Sequence, residues 1–415
     1  MTIAPAAALR PRFVLAGNPS VLWALLVLAI FTLGVSFLSE GMGVGLISTS
    51  FVKTLGKTLC LCLAAVAMDV VWGYCGILSL GHMAFFGLGG YAIGQWLMTA
   101  RTTEIVAQSL AGQPLPPTPR ELEQAVATQI FGVVGADEFP WIWAFSDSLG
   151  LQLLMVVLVP GLLAGLFGWL AFRSRVTGVY LSILTQGMTL ALSLWLFQND
   201  SGLRGNNGLS GLQNIPGLDG WGQATLSVAF LWGSALALAL GYVLFAWLTS
   251  GRRGSVIRAI RDDEARVRFL GYGVEGTKLL VFTLTAMVTA IAGALYYPQA
   301  GIINPGEVAP LASVYLAVWV AIGGRGRLYG AALGAALVSL LSSWFTSGGV
   351  PDVPLGFATI RWTDWWTVLL GLGFVAVTLL APKGLGGLFD LVPRRPSRRQ
   401  GDWGPDDGAW RREEG

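Results

Sequence analysis

Residues 21–38 of this 415-residue chain read VLWALLVLAIFTLGVSFL, an unbroken run without a charged side chain. A helix needs roughly 20 apolar residues to cross the hydrocarbon core of a bilayer, so this run predicts a membrane-spanning helix. Similar runs recur along a chain in which 54% of residues are hydrophobic and only 12% are charged. The sequence therefore predicts an all-α, polytopic membrane protein.

From these runs we predict about ten transmembrane helices, with a broken or re-entrant segment near residues 73–82. The predicted spans are 21–38, 55–72, 76–98, 149–172, 176–197, 225–248, 278–298, 309–324, 328–346 and 365–381. The transmembrane domain, 21–390, contains an external insertion at 99–148 and a cytoplasmic loop at 251–277. A short N-terminus, 1–20, precedes it. A tail, 391–415, follows it and is predicted to be disordered from its Arg-, Pro- and Gly-rich composition.

Basic residues are distributed unevenly between the two sides of this arrangement. With the N-terminus inside, only six of the 26 basic residues lie outside: Lys53, Lys57, Arg101, Arg120, Arg204 and Arg361. Cytoplasmic loops are enriched in Lys and Arg, so we predict that both termini are cytoplasmic.

Catalytic motifs have little support in the sequence. His82 is the only histidine, which excludes His-based metal sites, and the three cysteines lack zinc-type spacing. The chain has no GxxxxGK[ST] phosphate loop, and its net charge of +3 gives no sign of nucleic-acid binding. We therefore predict no catalytic residue, metal or cofactor.

A polar stripe in the fifth span is a candidate solute pathway. Ser182, Thr185, Gln186 and Thr189 recur at helical spacing on one face of an otherwise apolar segment. Lipid offers no hydrogen bonds, so such a face must contact protein or water. Ordinary packing against another helix is an equally good interpretation.

Two ionisable residues near the predicted break are further pathway candidates. A carboxylate within a span, such as Asp69, is costly by roughly 2.5–3.5 kcal/mol and is expected to face the bundle interior. His82 follows Gly81, and broken helices often place polar groups at a transporter's solute site. The alternatives are a helix-capping role for Asp69 and a hydrogen-bonded structural role for His82.

The segment 251–271 concentrates mixed charge between two apolar spans. Read as one helix, it pairs Arg258 with Asp262, Asp262 with Arg266, and Glu264 with Arg268 at i,i+4. An apolar face formed by Val256, Ile260, Val267 and Leu270 lies roughly opposite. This predicts a short amphipathic helix that contacts a partner protein, and the alternative is a solvated loop.

Residues 69–91, DVVWGYCGILSLGHMAFFGLGGY, resemble a signature of the membrane permeases of ATP-binding-cassette (ABC) importers for branched-chain amino acids and urea. Three stretches match in the same order, and so does the ending Pro382–Leu385. They are 205–209 (GNNGL), 259–265 (AIRDDEA) with Leu270 and Gly271, and 323–326 (GGRG) with Gly330. The resemblance covers about residues 50–390. Residues 297–305 and 317–326 are most similar to the urea-type second permease, whereas the 99–148 insertion departs from the shorter amino-acid permeases.

The resemblance implies a permease subunit, not an enzyme, in the inner membrane of a bacterium. Its expected partners are a second, homologous permease in a heterodimer, two cytosolic ATPase subunits and a periplasmic solute-binding protein. It also implies that residues 258–271 form the coupling helix that contacts an ATPase. The expected coupling residues are Arg258, Arg261, Asp262, Asp263, Glu264, Arg266, Leu270 and Gly271.

Urea is the first expectation for the solute, and a branched-chain amino acid is the alternative. A passive urea or small-amide channel and a proton-coupled transporter are the competing classes, and neither needs an ATPase. The outer loop 205–211 is expected to receive the binding protein or to gate the outer mouth through Asn206 and Asn207. A plain connector is nearly as good an interpretation of that loop.

Overall fold

The computed structural model describes residues 19–111, 118–132, 139–218, 220–347, 353–354, 359–380 and 384–387. The predicted disordered tail, 391–415, and residues 1–18 of the N-terminus lie outside the described residues. So do Pro382 and Lys383 of the ending compared above.

The described chain is almost entirely helical. Its helices are α1 Pro19–Leu38, α2 Thr49–Asp69, α3 His82–Leu110, α4 Pro119–Phe131, α5 Leu149–Arg173, α6 Val179–Phe197, α7 Gln223–Thr249, α8 Gly251–Asp262, α9 Glu264–Phe269, α10 Val274–Ala300, α11 Pro310–Gly323, α12 Leu328–Thr346 and α13 Trp362–Leu380. Two short ribbons pair β1 Leu209–Ser210 with β2 Ile302–Ile303, and β3 Val353–Pro354 with β4 Thr359–Ile360. The all-α class is confirmed.

Seven helices in the described part of the chain are long and apolar enough to cross a membrane: α1, α2 with the turn that follows it, α5, α6, α7, α10 and α12. Each of the ten predicted spans coincides largely with a helix. However, α11 and the apolar part of α13 are shorter than a full span, and α3 is not among the seven. The multi-pass architecture is therefore established, whereas the number of ten crossings stays a prediction.

The centre of the bundle is formed by α2 and α10. Within the 18-residue apolar stretch of the span that begins with α2, 89% of the residues are buried, compared with 56% for α10 and 17% for α1. Small residues permit this burial, since a Cβ on Gly293 would lie 1.9 Å from the Phe86 carbonyl oxygen. A Cβ on Gly89 would likewise lie 2.0 Å from the Ala290 carbonyl oxygen. Backbones that approach this closely explain part of the high glycine content.

The break predicted near residues 73–82 is present, and it separates α2 from α3. A π-helical turn, Val70–Tyr74, ends α2, and residues 75–81 are irregular until α3 begins at His82. Helix α3 therefore starts later than predicted and continues to Leu110, beyond the predicted start of the insertion at 99. Within the insertion, α4 begins with a capping box in which Thr118 and Glu121 each accept a backbone N–H from the other.

The charged loop departs from the single helix that we predicted. Asp263 has an extended backbone (φ −157°, ψ 95°) and divides the segment into α8 and α9. The Asp263 carboxylate caps α9 by accepting a hydrogen bond from the Arg266 amide at 3.0 Å. At the start of a helix this amide has no helical acceptor, and the carboxylate takes that place. The prediction of one continuous amphipathic helix was wrong for this reason.

Candidate functional site

A cluster around Asp69 connects the end of α2 to two distant segments. The carboxylate is fully buried, and its Oδ1 accepts the Gly326 amide at 2.7 Å. The Arg327 amide also acts on this carboxylate, as do the charges of Arg325 and Arg261. Asp69 was predicted to be a pathway residue, with a structural role as the alternative, and the structure places its carboxylate against the turn between α11 and α12.

Arg261 of α8 reaches the same cluster from the charged loop. Its Nη1 donates to the Gly73 carbonyl at 2.7 Å, directly beyond α2 in the π-helical turn. A Cβ on Gly73 would lie 2.2 Å from Asp69 Oδ1 and 2.3 Å from the Gly326 nitrogen. A predicted coupling residue thus contacts the broken helix, and only glycine fits at position 73.

An aromatic contact adds a third link at this end of the bundle. The Arg325 guanidinium lies over the Trp72 ring, 4.9 Å from its centroid. We name Asp69, Trp72, Gly73, Arg261, Arg325 and Gly326 the hinge cluster. Sequence reasoning missed the participation of Gly73 and Gly326, although the run 323–326 was recognised as a motif.

Three members of the polar stripe on α6 bind the irregular segment between α2 and α3. The Ser182 hydroxyl donates to the Leu78 carbonyl at 2.7 Å, and the Leu80 amide donates to the Thr185 hydroxyl at 3.0 Å. Thr189 donates to the Leu80 carbonyl at 3.4 Å. These side chains supply the hydrogen bonds that unwound backbone needs inside a membrane protein.

Two other predicted pathway residues differ in their surroundings. Gln186 is half-buried, and its amide has no hydrogen-bond partner among the described residues. His82 is fully buried, with Nδ1 3.0 Å from Ser79 Oγ and Nε2 3.3 Å from Thr285 Oγ1. Gln186 is thus the one member of the four-residue stripe whose side chain makes no hydrogen bond to a described residue, whereas both ring nitrogens of His82 lie within hydrogen-bonding distance of hydroxyl groups.

Ion pairs fold the charged loop onto the bundle. Glu264 pairs with Arg268 at 2.9 Å, as predicted, and also with Lys278 of α10. Arg268 further pairs with Glu275 at 2.9 Å. The predicted Arg258–Asp262 pair is replaced, because Arg258 donates to the Thr249 carbonyl at 2.9 Å.

The remaining predicted pair of this loop, between Asp262 and Arg266, is also replaced. Asp262 pairs with the neighbouring Arg261 at 3.0 Å, and Arg266 pairs with Asp263 at 3.6 Å. The break at Asp263 causes both changes, since it removes the helical i,i+4 spacing.

The apolar face of the loop is oriented toward the bundle and not toward a partner. Ile260 and Val267 are buried with Val274 in a small apolar cluster. Leu270, predicted to share that face, is instead 67% exposed beside Phe269, which is 92% exposed. The exposed apolar tip of α9, followed by Gly271 in the left-handed region (φ 83°), is thus the part available to another protein.

The loop 205–211, which was predicted to be external, begins with a short 3₁₀ turn, Gly205–Asn207, whose Asn206 and Asn207 side chains are exposed. The next residues form β1, which pairs with β2, and Leu209 and Ile303 are fully buried against α3. The two asparagines therefore lie in an exposed turn directly before a ribbon that packs against α3.

Comparison with known proteins is consistent with this arrangement. The family model "Branched-chain amino acid transport system / permease component" matches residues 50–378. The chain belongs to this permease family. Among the described residues, no group of three or more His, Cys, Asp or Glu side chains is placed to hold a metal ion. No solved structure shows a significant match.

Three individual relatives share between 24% and 30% sequence identity with this chain. The high-affinity branched-chain amino acid permease protein LivM of Escherichia coli is 27% identical over 50% of this chain and 55% of its own length. LivM of Salmonella typhimurium is 24% identical over 71% of this chain and 63% of its own length. The autoinducer 2 import permease protein LsrC of Klebsiella pneumoniae is 30% identical over 42% and 50%. The chain thus spans between half and two thirds of the length of these permeases.

Proposed function

We propose that the chain is the permease subunit of an ATP-driven importer that moves a small polar solute into a bacterial cell. The main supporting observation is the link from the exposed tip of α9, through α8 and Arg261, to the broken helix at Gly73. A passive channel needs no such connection between a cytosolic surface and a transmembrane helix. The names of the relatives, which are permease proteins of import systems, support the same proposal.

The proposed assembly includes two cytosolic ATPase subunits, a second homologous permease and a periplasmic binding protein. The chain would lie in the inner membrane with both termini cytoplasmic. Phe269 and Leu270 are suited to enter an apolar groove of an ATPase, because large exposed apolar residues at a protein surface commonly mark binding sites. The remaining predicted coupling residues would orient this tip.

The hinge cluster would transmit a movement of the α9 tip to the membrane-spanning helices. The Arg261 guanidinium is bonded to Gly73, and Gly73 contacts Asp69 and Gly326 without room for a side chain. Displacement of α8 would therefore move the irregular segment 75–81, which Ser182, Thr185 and Thr189 attach to α6. Gln186, on the same face of α6, would meet the solute.

Two solutes are candidates for this importer. The residues at 297–305 and 317–326 favour urea by their resemblance to the urea-type permeases. The names of the two LivM relatives favour a branched-chain amino acid. Asn206 and Asn207, exposed at the outer surface, would contact the binding protein in either case.

Purification of the tagged chain from its native membrane tests this proposal. We expect P-loop ATPase subunits to co-purify, and the reconstituted complex to import urea or leucine only with ATP and the loaded binding protein. Phe269→Ala with Leu270→Ser should reduce ATPase co-purification and import at least tenfold. Trp221→Ala is the control, because this tryptophan is 51% exposed and outside the charged loop. ATP-independent solute flux in the wild-type protein would favour the passive channel.

A further inference from the structure

The insertion 99–148 contains a cavity of about 570 Å³ between α4 and the segment that precedes α5. Most of the side chains that line it are aromatic or charged. They include Arg120, Glu123, Phe139, Trp141, Trp143 and Asp147. Sites for small ligands have volumes of roughly 300–1,000 Å³, aromatic walls and a few polar groups, so this cavity has the size and composition of one. We name it the insertion cleft.

Hydrogen bonds attach one wall of the insertion cleft to the rest of the molecule. The Trp143 indole Nε1 donates to the Gly202 carbonyl at 2.7 Å, and the Gln95 amide of α3 donates to the Ile142 carbonyl at 3.1 Å. The Trp143 ring, only 2% exposed, also stacks on Phe139 with 5.9 Å between the ring centroids. Groups held in this way lose little entropy when a ligand binds.

The insertion cleft lies at the start of an apolar helix that is long enough to cross the membrane. Asp147 precedes Ser148, whose hydroxyl caps α5 by accepting a hydrogen bond from the Leu151 amide. Helix α5 is one of the seven candidate spans, and Leu151 and Leu154 near its start are 44% and 53% exposed, as suits contact with lipid. Side chains directly before such a span lie at the level of the lipid headgroups, where tryptophan is enriched. Trp141, 82% exposed, is at this end of α5.

Three charged side chains of the insertion cleft are available to a ligand. Arg120, Glu123 and Asp147 are exposed and make no hydrogen bond or ion pair with a described residue. Zwitterionic phospholipids carry a phosphodiester and an ammonium group, and both groups have a counterpart in the cleft. A guanidinium donates two parallel hydrogen bonds to phosphate oxygens. An ammonium group is attracted by carboxylates and by the face of a tryptophan ring.

We propose that the insertion cleft binds the headgroup of a zwitterionic phospholipid. The Arg120 guanidinium would donate to the phosphodiester oxygens, and the ammonium group would lie beside Trp141 and the carboxylates of Glu123 and Asp147. A headgroup with a phosphodiester but no ammonium group, such as phosphatidylglycerol, would gain Arg120 alone and meet two carboxylates. The cleft should therefore prefer the zwitterionic lipid. Binding of this kind would tie the insertion to the bilayer and is independent of the solute that is transported.

Native mass spectrometry of the purified full chain in detergent tests the cleft, with phosphatidylethanolamine and phosphatidylglycerol of identical acyl chains as probes. We expect the wild-type chain to prefer phosphatidylethanolamine about tenfold. Trp141→Ala should reduce this preference severalfold, and Glu123→Gln with Asp147→Asn should abolish it. Arg120→Gln should instead weaken the binding of both lipids, since both carry the phosphodiester. Trp221→Ala and Asp200→Asn, exposed positions outside the insertion, are the matched controls.

Soluble glycerophosphoethanolamine distinguishes a lipid from a free phosphodiester as the source of the headgroup. It carries the same charged groups without acyl chains, so we expect it to displace the lipid only at a concentration about a hundredfold higher. Displacement at an equal concentration would assign the cleft to a free solute and would overturn the lipid assignment. Equal binding of the two lipids by the wild-type chain would overturn the proposal. So would an unchanged preference in Glu123→Gln with Asp147→Asn.

Discussion

Two charged residues of α2, Asp69 and Lys57, have opposite surroundings. Asp69, at the end near the charged loop, accepts a backbone amide from the α11–α12 turn and lies beside two arginines. Lys57 lies 12 residues earlier, about 18 Å along the helix, and has no hydrogen-bond partner among the described residues. One helix thus contains a carboxylate that is hydrogen-bonded through Oδ1 and an ammonium group with no hydrogen-bond partner among the described residues.

Asp69 and Lys57 therefore differ in what their charges contact, although both lie on α2. The Asp69 carboxylate joins segments 257 residues apart in the chain and is suited to transmit movement. The Lys57 ammonium group instead has no hydrogen bond to a described residue, although the Glu307 carboxylate acts on it electrostatically. Changes near these two residues should therefore affect different measurements.

The largest effect is expected from Gly73→Ala, beside Asp69. The added methyl group would clash with Asp69 and with the Gly326 backbone, which cannot rotate away, so we expect a loss of about 1–3 kcal/mol of stability and nearly complete loss of transport. Thermal unfolding in detergent and import into proteoliposomes measure the two effects. Gly34→Ala in α1, where no atom lies within 4 Å, should change neither. A Gly73→Ala protein with normal import would remove the hinge cluster from the mechanism.

A smaller and more selective effect is expected from Arg261→Leu. Loss of the bond to the Gly73 carbonyl should disconnect α8 from the broken helix. We therefore expect the number of ATP molecules hydrolysed per solute imported to rise severalfold. Arg252→Leu, at an exposed position of the same helix, is the control. Equal ATP-to-solute ratios in both variants would contradict the proposed connection.

The smallest effect is a pH dependence at Glu307. Burial raises the pKa of the Glu307 carboxyl, so this group takes up a proton at a higher pH than an exposed glutamate does. The charged group that acts on this carboxyl is Lys57, and the carboxylate in turn acts on Tyr91, Tyr296 and Tyr297; side chains of these types ordinarily titrate near pH 10. The folded chain binds this proton more readily than the unfolded chain, so thermal stability in detergent should rise as the pH falls into the mildly acidic range.

Replacement of that carboxyl identifies the titrating group. Glu307→Gln should lack the rise in thermal stability that the wild type shows at acidic pH. If the thermal stability of Glu307→Gln still rises at acidic pH, another group is titrating. The surroundings of Asp69 and Lys57 would then differ less than proposed.

Sequence patterns predicted the helices better than the contacts between them. Apolar runs without charge are sufficient to place membrane helices, because the bilayer demands apolar length regardless of neighbours. The break after Gly73 was also visible, from its glycines. The later start of α3, at His82, was not visible, since residues 76–81 are as apolar as a helix would be and are held irregular by hydrogen bonds from α6.

The sequence predicted only part of the candidate site, again because local patterns do not specify contacts between helices. Spacing identified Ser182, Thr185 and Thr189 as one polar face, but periodicity does not state what a face contacts. The partner proved to be the backbone of residues 78–80. Charge spacing likewise predicted the Glu264–Arg268 pair. The extended Asp263 removed the Asp262–Arg266 pair, and the bond from Arg258 to the Thr249 carbonyl replaced the Arg258–Asp262 pair.

By itself, the sequence determined a multi-pass helical membrane protein of the branched-chain amino acid permease family, because hydrophobic length and ordered motifs are local properties of the chain. Only the tertiary structure placed Arg261 on Gly73 and Asp69 on Gly326, and brought Lys57 near Glu307. These groups are separated by 188, 257 and 250 positions, so no local pattern relates them. Their proximity is set by the close packing of glycine-rich helices, which fixes where each side chain can lie.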